Sequence, residues 1–173
     1  PQKSTSISVT TQAPLTYADP ATDKNTWNVI AEPDGAIRTG EIIRPYLYYE
    51  YDSSKVKFAE PEEGFVVETR AAEAFVANKI APEFGLNYSE TNALLSDLRK
   101  ELMDLNSSYI KISLISQDDI NKNLPLTISP VPATLRRIHL FISPLKNKVT
   151  IPPQKIEPVE RSGFTAVEIG VYR

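Results

Sequence analysis

The chain contains no cysteine and a single histidine, and these shortages exclude several classes of function. Zinc fingers, thiol catalysis and cysteine-ligated iron clusters all require side chains that are missing here. The net charge of -3 offers no basic excess for general nucleic-acid binding. No apolar run approaches the roughly 18 residues that span a bilayer. We therefore expect no cofactor, no metal, no nucleic-acid partner and no membrane span.

The hydrophobic content is sufficient for a globular core, since 41% of the 173 residues are hydrophobic. Residues 1–26 are rich in Ser, Thr, Gln, Pro and Asp, a composition that is typical of the segment after a secretory cleavage site. We predict an N-terminal extended arm over residues 1–26 and a single α+β domain over residues 27–173. The expected location is extracellular or on the cell surface.

Turn, cap and alternation patterns predict strands on both sides of one helical hairpin. The Pro33-Asp34-Gly35 sequence predicts a β-turn, and the tyrosine-rich residues 46–51 favour a strand. Thr69 as N-cap and Pro82 as terminator bound a first helix, and Asn87-Tyr88-Ser89-Glu90 fits the cap of a second. The further strand candidates are residues 64–68, 109–116, 124–129, 135–142 and 164–172. The predicted fold is α+β, with a mainly antiparallel sheet of about seven strands and one inserted helical hairpin.

The order of several short motifs resembles that of a set of secreted bacterial proteins of unknown function. The motifs are Pro33-Asp34-Gly35, the Tyr46 to Glu50 strand, Gly64 to Val67, Phe84-Gly85-Leu86-Asn87, Pro130 to Arg137 and the closing Arg161 to Glu168 strand. Two aromatic positions differ: Leu102-Met103-Asp104 stands where those proteins often carry Trp-Leu-Pro, and Glu168-Ile169-Gly170 where they often carry Glu-Trp-Gly. The resemblance covers roughly residues 27–170, and it implies an exported protein without implying an activity.

The tyrosine-rich strand is a candidate ligand-binding surface. Its candidate residues are Tyr46, Tyr48, Tyr49 and Tyr51. Because successive side chains of a strand point to opposite faces, one face belongs to the core. The other can bind a carbohydrate or a peptide, since tyrosine combines an apolar ring with a polar hydroxyl. Alternatively, that second face lies under the helical hairpin.

The arm contains a candidate assembly strand, in which polar and apolar side chains alternate. Its residues are Ser6, Ile7, Ser8, Val9 and Thr10. Such a strand can add to the sheet edge of another subunit by β-augmentation. The partner is then a second copy of the chain or another surface protein. Two alternatives remain open, namely a first strand of the chain's own sheet and a disordered tail.

Candidate catalytic residues are few. Glu50 and Glu168 lie in otherwise apolar strands, and as neighbours they would suit a carboxylate-based hydrolase. Alternatively, both face solvent, or one of them pairs with Arg136, Arg137 or Arg161. The sequence contains no nucleophile motif for which His139 could act as the general base. We therefore expect His139 to be packed and hydrogen-bonded. The oxygen-rich residues 118–123 do not match a calcium-binding EF-hand loop.

The leading prediction is a secreted, non-catalytic structural or interaction domain that assembles with itself through the N-terminal strand. The first alternative is a carbohydrate- or peptide-binding module that uses the tyrosine strand. The second alternative is the carboxylate-based hydrolase.

Overall fold

The computed structural model describes residues 1–158 and 160–173. Its fold is α+β, and its strand pairing is mostly antiparallel. The chain divides into two compact units. The first unit comprises Pro1–Phe58, Gln117–Leu135 and Ser162–Ala166; the second comprises Ala59–Ser116, Arg136–Arg161 and Val167–Arg173. Residues 1–26 therefore share the first unit with residues 27–58 and do not form a separate arm.

Eleven strands lie in the described residues, compared with the seven or so that the sequence predicts. They are β1 (Thr5–Thr11), β2 (Leu15–Asp19), β3 (Thr26–Ala31), β4 (Ile37–Thr39), β5 (Ile42–Arg44), β6 (Tyr48–Tyr51), β7 (Phe65–Glu68), β8 (Tyr109–Leu114), β9 (Leu126–Ser129), β10 (Thr134–Leu145) and β11 (Thr165–Tyr172). Instead of one sheet they form three, with the orders β5-β4-β3-β1-β9, β11-β10-β8-β7 and β2-β6. The two-stranded β2–β6 sheet is called the ribbon below.

The turn between β3 and β4 forms where the sequence predicts it. Gly35 has a φ of +94°, a conformation that glycine adopts without a steric penalty. The Asp34 side chain accepts a hydrogen bond from the Ala36 backbone N–H at 3.0 Å, the Asx-type contact that favours aspartate in turns. Local residues alone therefore specify this hairpin.

The predicted assembly strand is β1, and it belongs to the chain's own five-stranded sheet. Residues 5–10 pair with β3, and residues 8–11 pair with β9 on the other side. From Ser8 to Thr10 both backbone edges are hydrogen-bonded within the chain. The assembly strand therefore has no free edge at these residues, and the alternative of a strand in the chain's own sheet is the one found.

The first helical segment of the second unit is composite. It runs through a 3-10 turn (Thr69–Ala71), α1 (Ala72–Phe75), a π turn (Val76–Ile80) and α2 (Ala81–Glu83). Pro82 lies inside the segment and does not end it, contrary to the sequence prediction. The Ala81 N–H bonds to Val76 O, five residues back, and this wider turn makes room where proline would otherwise clash with a carbonyl. The segment ends at Gly85, whose φ of +63° suits a helix C-cap.

Helix α3 (Tyr88–Leu102) starts at the predicted cap. Asn87 and Glu90 form a reciprocal capping box, with both hydrogen bonds at 2.9 Å. The buried leucines of α3 pack with one side of the four-stranded sheet. The fully buried members of this core include Leu94, Leu98, Ile110, Ile112, Ile138, Leu140 and Ile142. Alternation then assigns the intervening residues of β8, β10 and β11 to the other side of that sheet.

The helix α4 (Gln117–Asn123) occupies the acidic stretch 118–123 in the first unit. Its buried residue is Ile120, while Asp118 and Asp119 lie in its first turn, where acidic side chains complement the helix dipole. Helix formation therefore accounts for the pattern of polar residues here.

Candidate functional site

A cluster of polar side chains is buried in the second unit, on the side of the sheet opposite α3. Its members, the buried polar cluster, are Arg137 and His139 from β10 and Glu168 and Tyr172 from β11. Arg137 and His139 are 3% and 2% exposed. The two members on β10 are two residues apart and the two on β11 are four apart, so the members from each strand share one face of that strand.

The carboxylate of Glu168 is the centre of this cluster. It accepts hydrogen bonds from Arg137 Nε and, at 3.2 Å, from Nη2, and His139 Nε2 lies 2.8 Å from it. Burial by itself raises the pKa of the Glu168 carboxyl. The hydrogen bond and charge of His139, followed by those of Arg137, outweigh burial and lower that pKa from 4.5 to about 2. Glu168 is therefore an anion at neutral pH.

The cluster places a histidine between a carboxylate and a hydroxyl, an arrangement that orients a general base in some enzymes. Here Arg137 holds the carboxylate as an ion pair, and the imidazole is almost entirely buried. Two open clefts in the same unit are lined by other residues. The geometry supports a structural role, and His139 is packed and hydrogen-bonded as the sequence predicts.

The ribbon in the first unit resolves which side of the tyrosine strand is buried. The strands pair with Tyr17 opposite Glu50 and Asp19 opposite Tyr48. Opposed residues share a face, so these four side chains lie on one side. We call this side the tyrosine face. The other side carries Tyr49 and Tyr51, which pack with apolar core residues.

The tyrosine face presents aromatic rings and charged groups together. Tyr17 is 54% exposed, and its ring centroid lies 6.0 Å from that of Tyr48. The Tyr48 hydroxyl donates a hydrogen bond to Glu50 at 2.7 Å. Asp19 pairs with Arg44 of β5 at 3.2 Å. A ligand approaching this face meets apolar ring surface beside carboxylate and guanidinium groups.

The four tyrosines predicted to bind a ligand therefore separate into two groups. Tyr48 is on the tyrosine face, and Tyr46 is half-exposed just before β6. Tyr49 packs with its ring centroid 5.9 Å from that of the buried Trp27, and Tyr51 belongs to a separate apolar cluster. Tyr17 also belongs to the tyrosine face but was not among the predicted ligand-binding residues. It lies on β2, within residues 1–26, which were predicted to form the arm.

The two carboxylates of the predicted hydrolase have other partners. Glu50 belongs to the first unit and accepts the hydrogen bond from Tyr48. Glu168 belongs to the second unit and pairs with Arg137, which is the arginine alternative that the sequence leaves open. Each carboxylate is therefore bound to a side chain of its own unit, Glu50 to Tyr48 and Glu168 to Arg137.

Some classes of site are absent from residues 1–158 and 160–173. In that part of the chain no three histidine, aspartate or glutamate side chains are grouped so as to hold a metal ion. None of its helices combines the length and apolar character needed to cross a membrane. No protein-family model, curated protein or solved structure matches this chain.

Proposed function

We propose that this protein is a secreted, non-catalytic interaction domain that binds a carbohydrate on its tyrosine face. The observation that carries the proposal is the pair of rings, Tyr17 and Tyr48, placed on the solvent side of the ribbon beside Glu50. Aromatic rings cover the apolar faces of sugar rings, and carboxylates accept hydrogen bonds from sugar hydroxyls. Both groups are present within one small surface.

Exposed apolar side chains in the neighbouring sequence support an interaction surface. Ile42 and Ile43 of β5 are 51% and 63% exposed, and Tyr46 is 50% exposed. Arg44 of the same strand pairs with Asp19 on the tyrosine face, which joins β5 to the ribbon. Exposed apolar groups that cluster in this way mark interaction sites more often than isolated ones do.

The test is a binding screen of the full chain against a glycan panel, with an extended-peptide panel as the second arm. We expect saturable glycan binding that Tyr17→Ala weakens at least about fivefold, since an aromatic ring packed on a sugar contributes about 1 kcal/mol. Tyr88→Ala is the matched control, because Tyr88 is 84% exposed on α3 in the second unit. Saturable binding to peptides alone, or no binding in either arm, overturns the proposal.

Self-association through β5 is a second candidate function, favoured by the position of this strand at a sheet edge. An edge strand with two exposed isoleucines is a template for pairing with another chain. We expect light scattering of the full chain to show a dimer that Ile43→Lys converts to a monomer, whereas Val131→Lys, at another exposed apolar residue, has no effect. A monomeric full chain at its highest soluble concentration excludes this candidate.

Location outside the cell is part of the proposal and is supported by the composition of residues 1–26. Antibodies raised against the folded chain should label intact source cells or the culture medium. Labelling that appears only after permeabilisation contradicts an extracellular location.

A further inference from the structure

Arg136 in the second unit is a cation whose hydrogen bonding is incomplete. Its Nε and Nη2 atoms are buried and have no hydrogen-bond partner in the part of the chain that the structure describes. A buried donor without an acceptor destabilises the folded chain, and the cost is larger when the group is charged. Because nearly all buried polar groups in proteins are hydrogen-bonded, these two donors call for an acceptor.

A second guanidinium, that of Arg161, lies close enough to act on Arg136. Burial first, and the positive charge of Arg161 second, lower the pKa of Arg136 below its usual value. Like charges repel, so an anion beside Arg136 would offset this repulsion and supply acceptors for the two unpartnered donors.

The nearby carboxylate of Glu90 is already engaged. Arg161 binds both of its oxygens, at 2.6 and 2.9 Å, and the Asn87 backbone N–H donates to it at 2.9 Å. These contacts place Arg161 at the first turn of α3, where the helix dipole adds further positive potential. One carboxylate therefore serves both a helix terminus and Arg161.

Arg136 also lies on the side of β10 that faces α3. It is in the same alternation series as Ile138 and Leu140, which belong to the core with α3. Arg136 thus lies on the α3 side of β10, and Arg161 contacts the first turn of that helix. Arginine is suited to such a site because its planar fork binds oxyanions through paired hydrogen bonds.

We propose that Arg136 and Arg161 form a binding site for an oxyanion, a carboxylate or a phosphate, beside the first turn of α3. The site belongs to the second unit and does not depend on the tyrosine face of the first.

The test uses the full chain and sodium phosphate as the probe, with sodium chloride at matched ionic strength as reference. We expect the Nε–Hε NMR signal of Arg136 to shift saturably with phosphate and not with chloride. The thermal midpoint should also rise with phosphate, because a ligand that binds the folded state stabilises it. Acetate and citrate form a second arm that distinguishes carboxylate from phosphate recognition.

Variants assign the effect to this site. Arg136→Gln should weaken phosphate binding at least about tenfold, the loss expected for a charged hydrogen bond. Arg99→Gln is the control, since Arg99 lies on α3 but pairs with Glu73. The proposal is wrong if none of the oxyanions shifts the Arg136 signal of the folded wild type, or if Arg136→Gln binds as tightly as Arg99→Gln. Should Arg136→Gln fail to fold, the wild-type Nε–Hε titration decides by itself.

Discussion

His139 and Tyr172 are held together by both a hydrogen bond and a ring contact. Nδ1 of His139 lies 2.6 Å from the Tyr172 hydroxyl oxygen. The two rings stack with centroids 5.5 Å apart and an interplanar angle of 18°. Because the carboxylate of Glu168 accepts hydrogen bonds and cannot donate them, Nε2 of His139 carries the proton that it shares with Glu168. Hydrogen bonds at both ring nitrogens therefore fix the orientation of the imidazole.

The first prediction concerns the charge of Glu168. Glu168→Gln keeps the shape but leaves Arg137 and His139 buried without their carboxylate, and we expect it to lower the free energy of unfolding by about 3 kcal/mol or more. Urea denaturation at neutral pH measures the loss. Glu73→Gln serves as control, because it breaks an exposed pair with Arg99 and should change stability little. Equal losses in the two variants would refute a stabilising role for the cluster.

The second prediction concerns the loss of stability at acidic pH. Burial alone would raise the pKa of Glu168, but His139 and Arg137 lower it from 4.5 to about 2 in the folded chain. Its stabilising contribution is therefore complete above pH 4.5 and is lost as pH falls toward 2. Urea midpoints should decrease over this range more steeply in the wild type than in Glu168→Gln. Glu32, Asp52 and Glu60 also have lowered pKa values and remain in both proteins, so the difference isolates Glu168. Parallel acid profiles would contradict the prediction.

The third prediction concerns Gly170, where an added Cβ atom would contact both rings. A Cβ atom there would sit 2.5 Å from the Tyr172 hydroxyl oxygen and 3.0 Å from His139 Nδ1. We expect Gly170→Ala to destabilise the chain by about 1–3 kcal/mol through this overlap. In a Tyr172→Ala background the same substitution should cost less, because the overlapping ring is gone. Equal costs in the two backgrounds, measured by urea denaturation, would show that the clash is unimportant.

The fourth prediction concerns the cap of α3. Asn87→Ala removes the side chain that accepts a hydrogen bond from the Glu90 N–H at 2.9 Å. Loss of such a cap typically lowers the free energy of unfolding by about 1 kcal/mol. Asn106→Ala, at an exposed residue outside the helices and strands, is the matched control and should have little effect. If chemical denaturation gives the same midpoint for both variants, the cap contributes no stability.

Features that depend on neighbours in sequence were predictable. The turn at Pro33-Asp34-Gly35 and the cap at Asn87 occur where predicted, because each is specified by hydrogen bonds within three residues. The prediction for Pro82 was wrong, since the π turn before it accommodates the proline inside the helical segment. The π turn involves several residues before Pro82, so the proline by itself could not have predicted it.

The candidate sites were only partly predictable. The tyrosine strand indicated a binding surface, but alternation alone does not distinguish the solvent side from the core side. Pairing with β2 decided this, because it set Tyr17 opposite Glu50 and left Tyr49 facing Trp27. Alternation could have shown that Arg137 and His139 share one face of β10, and that Glu168 and Tyr172 share one face of β11. It could not show that the two pairs meet.

The sequence by itself therefore determined the α+β class, the turns and the helix cap, since these follow from composition and from hydrogen bonds between near neighbours. The tertiary structure decided that β1 lies inside a sheet, which side of the ribbon faces solvent, and that the buried polar cluster exists. His139 meets Glu168 and Tyr172 across separations of 29 and 33 residues. Contacts at such separations depend on strand pairing and register, because a shift of one residue would turn each side chain to the opposite face.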